Sequence, residues 1–207
     1  MTELFLVRHG ETDWNLARRI QGRTDIPLND TGRAQAKAAG ELLARRSWDG
    51  VYASPLSRAT ETGAIIAAEL GLAAPAPVPG VVEREYGEAE GLTWEQIEQK
   101  FPEGAEVPGR ETREQVAERV VGALCELAAA HPGERLIVVS HGGAIRSVLQ
   151  HAEPDTQHPM ITNGSVHSFR VTDDGLELIA FDDPIGAESV GDGGDIEEQN
   201  ALEHRPS

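Results

Sequence analysis

The chain has 207 residues, with 35 Asp and Glu against 18 Lys and Arg, for a net charge of −17. That length supports one domain with a real core, and the acidity excludes a general nucleic-acid binder, which needs a basic footprint, and disfavours a membrane-surface role. A single cysteine, Cys125, excludes an internal disulfide.

Leu4-Phe5-Leu6-Val7 is a short unbroken apolar run, suited to a strand buried on both faces. It is too short for a signal peptide or membrane span and follows an acid, so a soluble cytoplasmic protein is expected. An Ala-rich helix is predicted over 31–46, after the capping residues Asn29, Asp30 and Thr31. Residues 50–54 form a weaker strand candidate, and 57–70 a helix that stops at Gly71. A short helix over 93–100 precedes a longer one over 112–131, where Val116, Val120, Leu124 and Leu127 fall at helical spacing before Pro132-Gly133. Residues 135–140 are the strongest strand, followed by a helix over 143–151. Strands over 165–172 and 176–181 flank the hairpin signal Asp173-Asp174-Gly175. Strands alternating with helices predict an α/β sheet covered on both faces. Residues 182–207 hold eight acids, one base and almost no large apolar side chain, which reads as an acidic tail. Without it the chain has 27 acids and 17 bases, a net −10.

The first strand runs into Val7-Arg8-His9-Gly10-Glu11-Thr12, and the strongest one into Ser140-His141-Gly142-Gly143. Open α/β sheets bind ligands beyond the carboxyl ends of their strands. Two histidines that each end an apolar strand meet across one crevice if the strands are neighbours, and Gly10 lets backbone approach closely. A third strand leaves through Ser54-Pro55-Leu56-Ser57-Arg58. This sets Arg58 in a first helical turn, where a guanidinium joins backbone N–H groups in holding an anion. A zinc site on His9 and His141 lacks a third ligand motif.

These stretches, with Asn15, Gln21-Gly22, Asp25, Thr31-Gly32, Gln35-Ala36, Thr62, Glu83 to Gly87 and Glu90-Gly91, stand in the order of the histidine phosphatase superfamily. The chain resembles these phosphoglycerate-mutase-like proteins over residues 3 to about 170. The resemblance implies a single α/β domain over 1–181, a three-layer sandwich with a mainly parallel sheet, helices on both faces and a flap over about 88–112, followed by the tail. It implies that His9 attacks phosphorus, that Arg8, Arg58 and His141 supply positive charge or donors to the phosphoryl oxygens, and that no metal or cofactor is needed. Asn15, Gln21, Gly22 and Gly142 are further substrate contacts on the same footing. The family's acid stands four residues before the Gly of an E-x-x-x-G element, which selects Glu83. Glu85 shares its face in an extended segment, so alternation alone leaves that choice open. Acid duty near neutral pH asks that burial or phosphate charge favour protonated Glu83. Asn163, in a short loop before the last hairpin, is expected to make a structural backbone bond.

The superfamily divides between mutases and phosphatases. Only 57 residues separate Glu83 from His141, and two helices take most of them. A short flap leaves the site open to water, so the expectation is a phosphatase acting on a small phosphorylated metabolite, as a monomer or homodimer. A cofactor-dependent phosphoglycerate mutase is the alternative, and a non-catalytic phosphate-binding module a more distant one. Trp94, Phe101 and Arg110 in the flap either face the substrate or pack the flap onto the body.

Overall fold

The computed structural model describes residues 1–172 and 175–185. In chain order the elements are β1 (Glu3–Arg8), α1 (Asp13–Leu16), α2 (Asp30–Leu43), β2 (Gly50–Ala53), α3 (Ser57–Leu70), β3 (Ala76–Pro77), α4 (Trp94–Lys100), α5 (Arg113–Ala130), β4 (Arg135–Ser140), α6 (Gly142–Ala152), β5 (Val166–Thr172) and β6 (Gly175–Ala180). The strands form one six-stranded sheet in the order β3-β2-β4-β1-β5-β6. Pairing is parallel from β3 through β1 and antiparallel for β1-β5 and β5-β6.

The unbroken apolar runs of β1 and β4 build both layers of core, because successive side chains point to opposite faces. Leu4, Leu6, Leu136 and Val138 pack with Val116, Val120 and Leu124 of α5 and Ile145 and Val148 of α6. Phe5, Val7, Ile137 and Val139 pack on the other side with Ala39 and Leu43 of α2 and Ala59 and Ile66 of α3. Each large apolar side chain so buried is worth about 1.5–3 kcal/mol. Helix α2 ends three residues before the expected boundary, where the Trp48 indole N–H donates to the Leu43 carbonyl and closes the last turn. The strand β3 carried no sequence signal: it is two residues long and ends in Pro77, tolerated because β3 lies at the sheet edge.

Chain assigned to the tail by composition begins inside the body. Asp183 and Ile185 are buried, Ser168 Oγ donates to Asp183 Oδ2 at 2.6 Å, and Ile185 joins the core on the α2/α3 side. A buried acid paired with a hydroxyl leaves no hydrophobic pattern to read. Residues 186–207, and the hairpin residues Asp173 and Asp174, lie outside the described residues.

Beside this segment, His167 is buried and neutral. Its Nδ1 accepts from the Asp182 amide at 3.1 Å, so its Nε2–H donates to Ser165 Oγ at 2.9 Å. Burial, with Arg146 and His158 nearby, pushes its pKa down to about 3 from an ordinary 6.5. The unfolded chain takes up a proton below 6.5 that the folded chain refuses, so this stability is complete above pH 6.5 and is lost as pH falls from there towards 3. At pH 5 the loss is up to about 2 kcal/mol. Melting temperature followed from pH 7.5 to 5 should fall less steeply for His167→Gln than for the parent; equal slopes would contradict this.

Candidate active site

The register places Arg8 opposite Ser140, so His9 and His141 leave adjacent parallel strands side by side, with ring centroids 5.1 Å apart. On the far side of β4, β2 delivers Ser54 and, one turn on, Arg58. The three loops predicted to carry the chemistry therefore converge at one end of the sheet.

His9 Nδ1 lies 2.7 Å from the Gly10 carbonyl, an acceptor only, so Nδ1 carries the proton and Nε2 the lone pair. Burial, then the Arg58 and Arg8 guanidiniums, holds the His9 pKa well below its ordinary 6.5. The ring is neutral at physiological pH. Asn163 Nδ2 donates to the His9 carbonyl at 2.9 Å, the structural bond expected of it. His141 Nε2 meets Ser54 Oγ at 2.8 Å, while its Nδ1 is buried with no hydrogen-bond partner. Burial and the Arg58 charge lower its pKa well below 6.5 too, which makes it a neutral donor rather than a cation.

Arg58 is fully buried, yet its Nη1 donates to the Thr24 carbonyl at 2.9 Å and its Nη2 to the Gly22 carbonyl at 2.7 Å. The loop holding these carbonyls is itself fixed by Glu90, whose carboxylate accepts from the amides of Arg23, Thr24 and Tyr86 and from the Thr24 hydroxyl. Gly22 sits at φ +53°, and a β-carbon there would lie 1.9 Å from Glu90 Oε1, so only glycine fits this turn. The helix end behind Arg58 differs from the expected anion site. Asp25 Oδ1 accepts from both the Ser57 amide and hydroxyl and so caps α3.

Glu83 and Glu85, inseparable by alternation, are separated by the fold. Glu85 is exposed and pairs with Arg23. Glu83 is buried, and its carboxylate accepts from the amides of Arg84, Gly143 and Ala144, the last two in the first turn of α6. Arg119 secures the segment by donating to the carbonyls of Gly80, Val82 and Glu83. A β-carbon on Gly143 would lie 2.6 Å from Glu83 Oε1 and 2.9 Å from the Tyr86 hydroxyl oxygen. Gly143→Ala should therefore displace the acid and slow hydrolysis of alkyl phosphates by about 10²-fold. Phosphorylation by p-nitrophenyl phosphate, whose leaving group needs no proton, should be little changed; equal slowing of both in single-turnover kinetics would contradict this role.

One pocket is lined by Arg8, His9, Asn15, Gln21, Gly22, Arg58, Glu83 and Gly142, with Arg18, Arg19, Ile20 and Tyr86. Of the candidates carried by the strand-end loops and the Glu83 segment, only His141 is absent from the wall; its ring lies against that of His9, tilted by 59°. Thr12 was not anticipated as a site residue. Its backbone N–H donates to Asn15 Oδ1 at 3.1 Å and its hydroxyl to Gln21 Oε1 at 2.9 Å, so both amide oxygens are engaged and the NH₂ groups are left as donors. A Thr three residues before Asn15 is a capping-box signature and was the available signal. Arg18 and Arg19 had no comparable signal, since a surface arginine pair looks alike wherever it points. Trp94, Phe101 and Arg110 do not line this pocket, and Phe101 packs against the small apolar cluster of Tyr86, Ala89, Ile97 and Val107.

A family model for the histidine phosphatase superfamily (branch 1) matches residues 4–184. The chain is 38% identical over 177 residues to an uncharacterized phosphatase, PhoE, of Bacillus subtilis, covering 84% of this chain and 91% of that one. It is 36% identical over 203 residues to a metal-independent phosphoserine phosphatase of Arabidopsis thaliana, covering 92% and 85%. A 2,3-bisphosphoglycerate-dependent phosphoglycerate mutase of Azorhizobium caulinodans is 33% identical over 73% of this chain and 83% of its own. Among solved structures, a phosphoserine phosphatase of Entamoeba histolytica in complex with phosphoserine superposes with a TM-score of 0.75 at 26% identity, covering 89% of this chain and 98% of that one. An arginine-lined pocket at the carboxyl ends of β1, β4 and β2, with these matches along nearly the whole described chain, places the protein in the histidine phosphatase superfamily.

Proposed function

We propose that this chain hydrolyses the phosphomonoester of a small phosphorylated metabolite through a phosphohistidine on His9. The observation that carries the reading is the neutral His9 ring, with Nδ1 tied to Gly10 and Nε2 left as nucleophile, in a pocket walled by Arg8, Arg58 and Glu83. His9 Nε2 attacks phosphorus in line, and the P–O bond to the leaving group breaks as the N–P bond forms. Arg8, Arg58 and the Nδ1–H of His141 take up charge on the equatorial oxygens, with the amides of Asn15 and Gln21 as further donors. Glu83 gives its proton to the leaving alkoxide, then as carboxylate takes one from the water that attacks the phosphohistidine. Inorganic phosphate leaves and the site is restored.

The preference for water over a returning sugar-acid phosphate rests on the short stretch between Glu83 and His141, most of which is taken by the short helix α4, the helix α5, the strand β4 and their connecting loops. Both phosphatase relatives support it, the Arabidopsis one being a phosphoserine phosphatase. No helix among the described residues is long and apolar enough to cross a membrane, and a cytoplasmic location is part of the proposal. Incubation with 3-phosphoglycerate, 2,3-bisphosphoglycerate, phosphoserine and p-nitrophenyl phosphate tests the reading. Phosphate release is expected from at least the last two. Fast isomerisation of 3-phosphoglycerate without net phosphate release would make the chain a mutase instead.

A further inference from the structure

The three flap candidates that miss the phosphate pocket gather around a second chamber. Trp94, Ile97, Phe101 and Val107 give it apolar walls, and Ile20 and Tyr86 belong to both cavities, so the two adjoin. Arg110 also lines it, and its circumstances are unusual. Its Nε is buried with no hydrogen-bond partner, and among the described residues no carboxylate forms an ion pair with it. The charged neighbours acting on it are the cations Arg84 and Arg113, with the Tyr86 hydroxyl beside them. Arg110 is half-buried, and although Glu85, Glu111 and Glu118 border a surface groove that it also lines, none forms an ion pair with it; a partly desolvated guanidinium so placed is costly to hold, and a bound anion would relieve that cost. Glu103 and Glu106 also border the chamber, but both are exposed, where solvent screens them.

We infer that this chamber receives the leaving group of the substrate, and that the substrate is a phosphomonoester with an apolar or aromatic body carrying a carboxylate or similar anion at its far end, bound by Arg110. The phosphoryl group then occupies the Arg8–Arg58 pocket, the body passes Ile20 and Tyr86, and its apolar surface is buried against Trp94, Ile97 and Phe101. A planar, forked guanidinium suits a carboxylate at that end. Arg110 is a specificity residue in this arrangement and takes no part in the bond changes at phosphorus.

The inference rests on the phosphatase reading, and one experiment separates the two. kcat/KM is measured for phosphoserine and for two aryl esters of similar leaving-group acidity, 4-ethylphenyl phosphate and 4-(2-carboxyethyl)phenyl phosphate. The parent protein should favour the aryl esters over phosphoserine by tenfold or more, and the carboxylate-bearing ester over its neutral counterpart by a further tenfold, chiefly through KM. In Arg110→Gln, with a melting temperature showing that the fold is kept, the ratio between the two aryl esters should collapse to about one. Hydrolysis of all three with phosphoserine preferred, or a ratio unmoved by Arg110→Gln, overturns the chamber's role and leaves the phosphatase reading standing. Hydrolysis of none overturns both.

Discussion

Replacing His9 with alanine should lower phosphatase kcat/KM by on the order of 10⁴–10⁶-fold, the scale seen when a covalent nucleophile is removed from an otherwise complete site. Fold and substrate binding should survive, because the His9 side chain makes its one described hydrogen bond to the neighbouring Gly10 carbonyl and carries no structural charge. Binding of a phosphate ester by calorimetry, alongside turnover, separates the two effects. A His9→Ala protein that turns over within tenfold of the parent would mean that the nucleophile is elsewhere. The low His9 pKa adds a second expectation: since the ring is already neutral well below pH 6.5, kcat/KM should not fall with a His9 titration as pH drops through 6.5.

Arg58→Lys should cost about 10²–10³-fold in kcat, the scale of losing one preorganised donor to a developing oxyanion. Charge is conserved in this change, so the loss reports geometry. The guanidinium spans the Gly22 and Thr24 carbonyls while facing the pocket, and an ammonium cannot make that fork. Stability should drop as well, because a buried carbonyl loses a charged hydrogen bond worth about 1.5–3 kcal/mol. Thermal unfolding and steady-state kinetics together check this. A fully active Arg58→Lys protein would reduce Arg58 to a point charge in this site.

The site was more legible in the sequence than the substrate. His9 and His141 each end an apolar strand, and such strands are readable because a strand buried on both faces must be apolar without interruption. That the two strands are neighbours was a condition in the sequence and is a fact of the sheet order. The choice between Glu83 and Glu85 had no local physical signal. It is decided by the amides of Gly143 and Ala144, some 60 residues away, which meet Glu83 and not Glu85. Glu90 and Thr12 were also hidden as functional residues, since their work is to hold Gly22, Thr24, Asn15 and Gln21 through long-range bonds. The anion site expected at the start of α3 failed for a similar reason: Asp25, brought in from a loop 32 residues earlier, already occupies it. Flap residues were named without a destination, and the adjoining chamber supplies one.

The acidity of the whole chain is no argument against a phosphate in this pocket. Four arginines, Arg8, Arg18, Arg19 and Arg58, line the pocket, and the field inside a crevice is set by such neighbours rather than by the net −17.

The central claim is that the phosphoryl group passes through His9, and the most direct measurement is to catch it there. The protein is mixed with p-nitrophenyl phosphate, quenched in alkali, which preserves a phosphohistidine, and mapped by peptide mass spectrometry. One phosphoryl group on His9, absent in His9→Ala, is the result expected. Turnover with no phosphohistidine at any time, or with the label on another residue, would contradict the account.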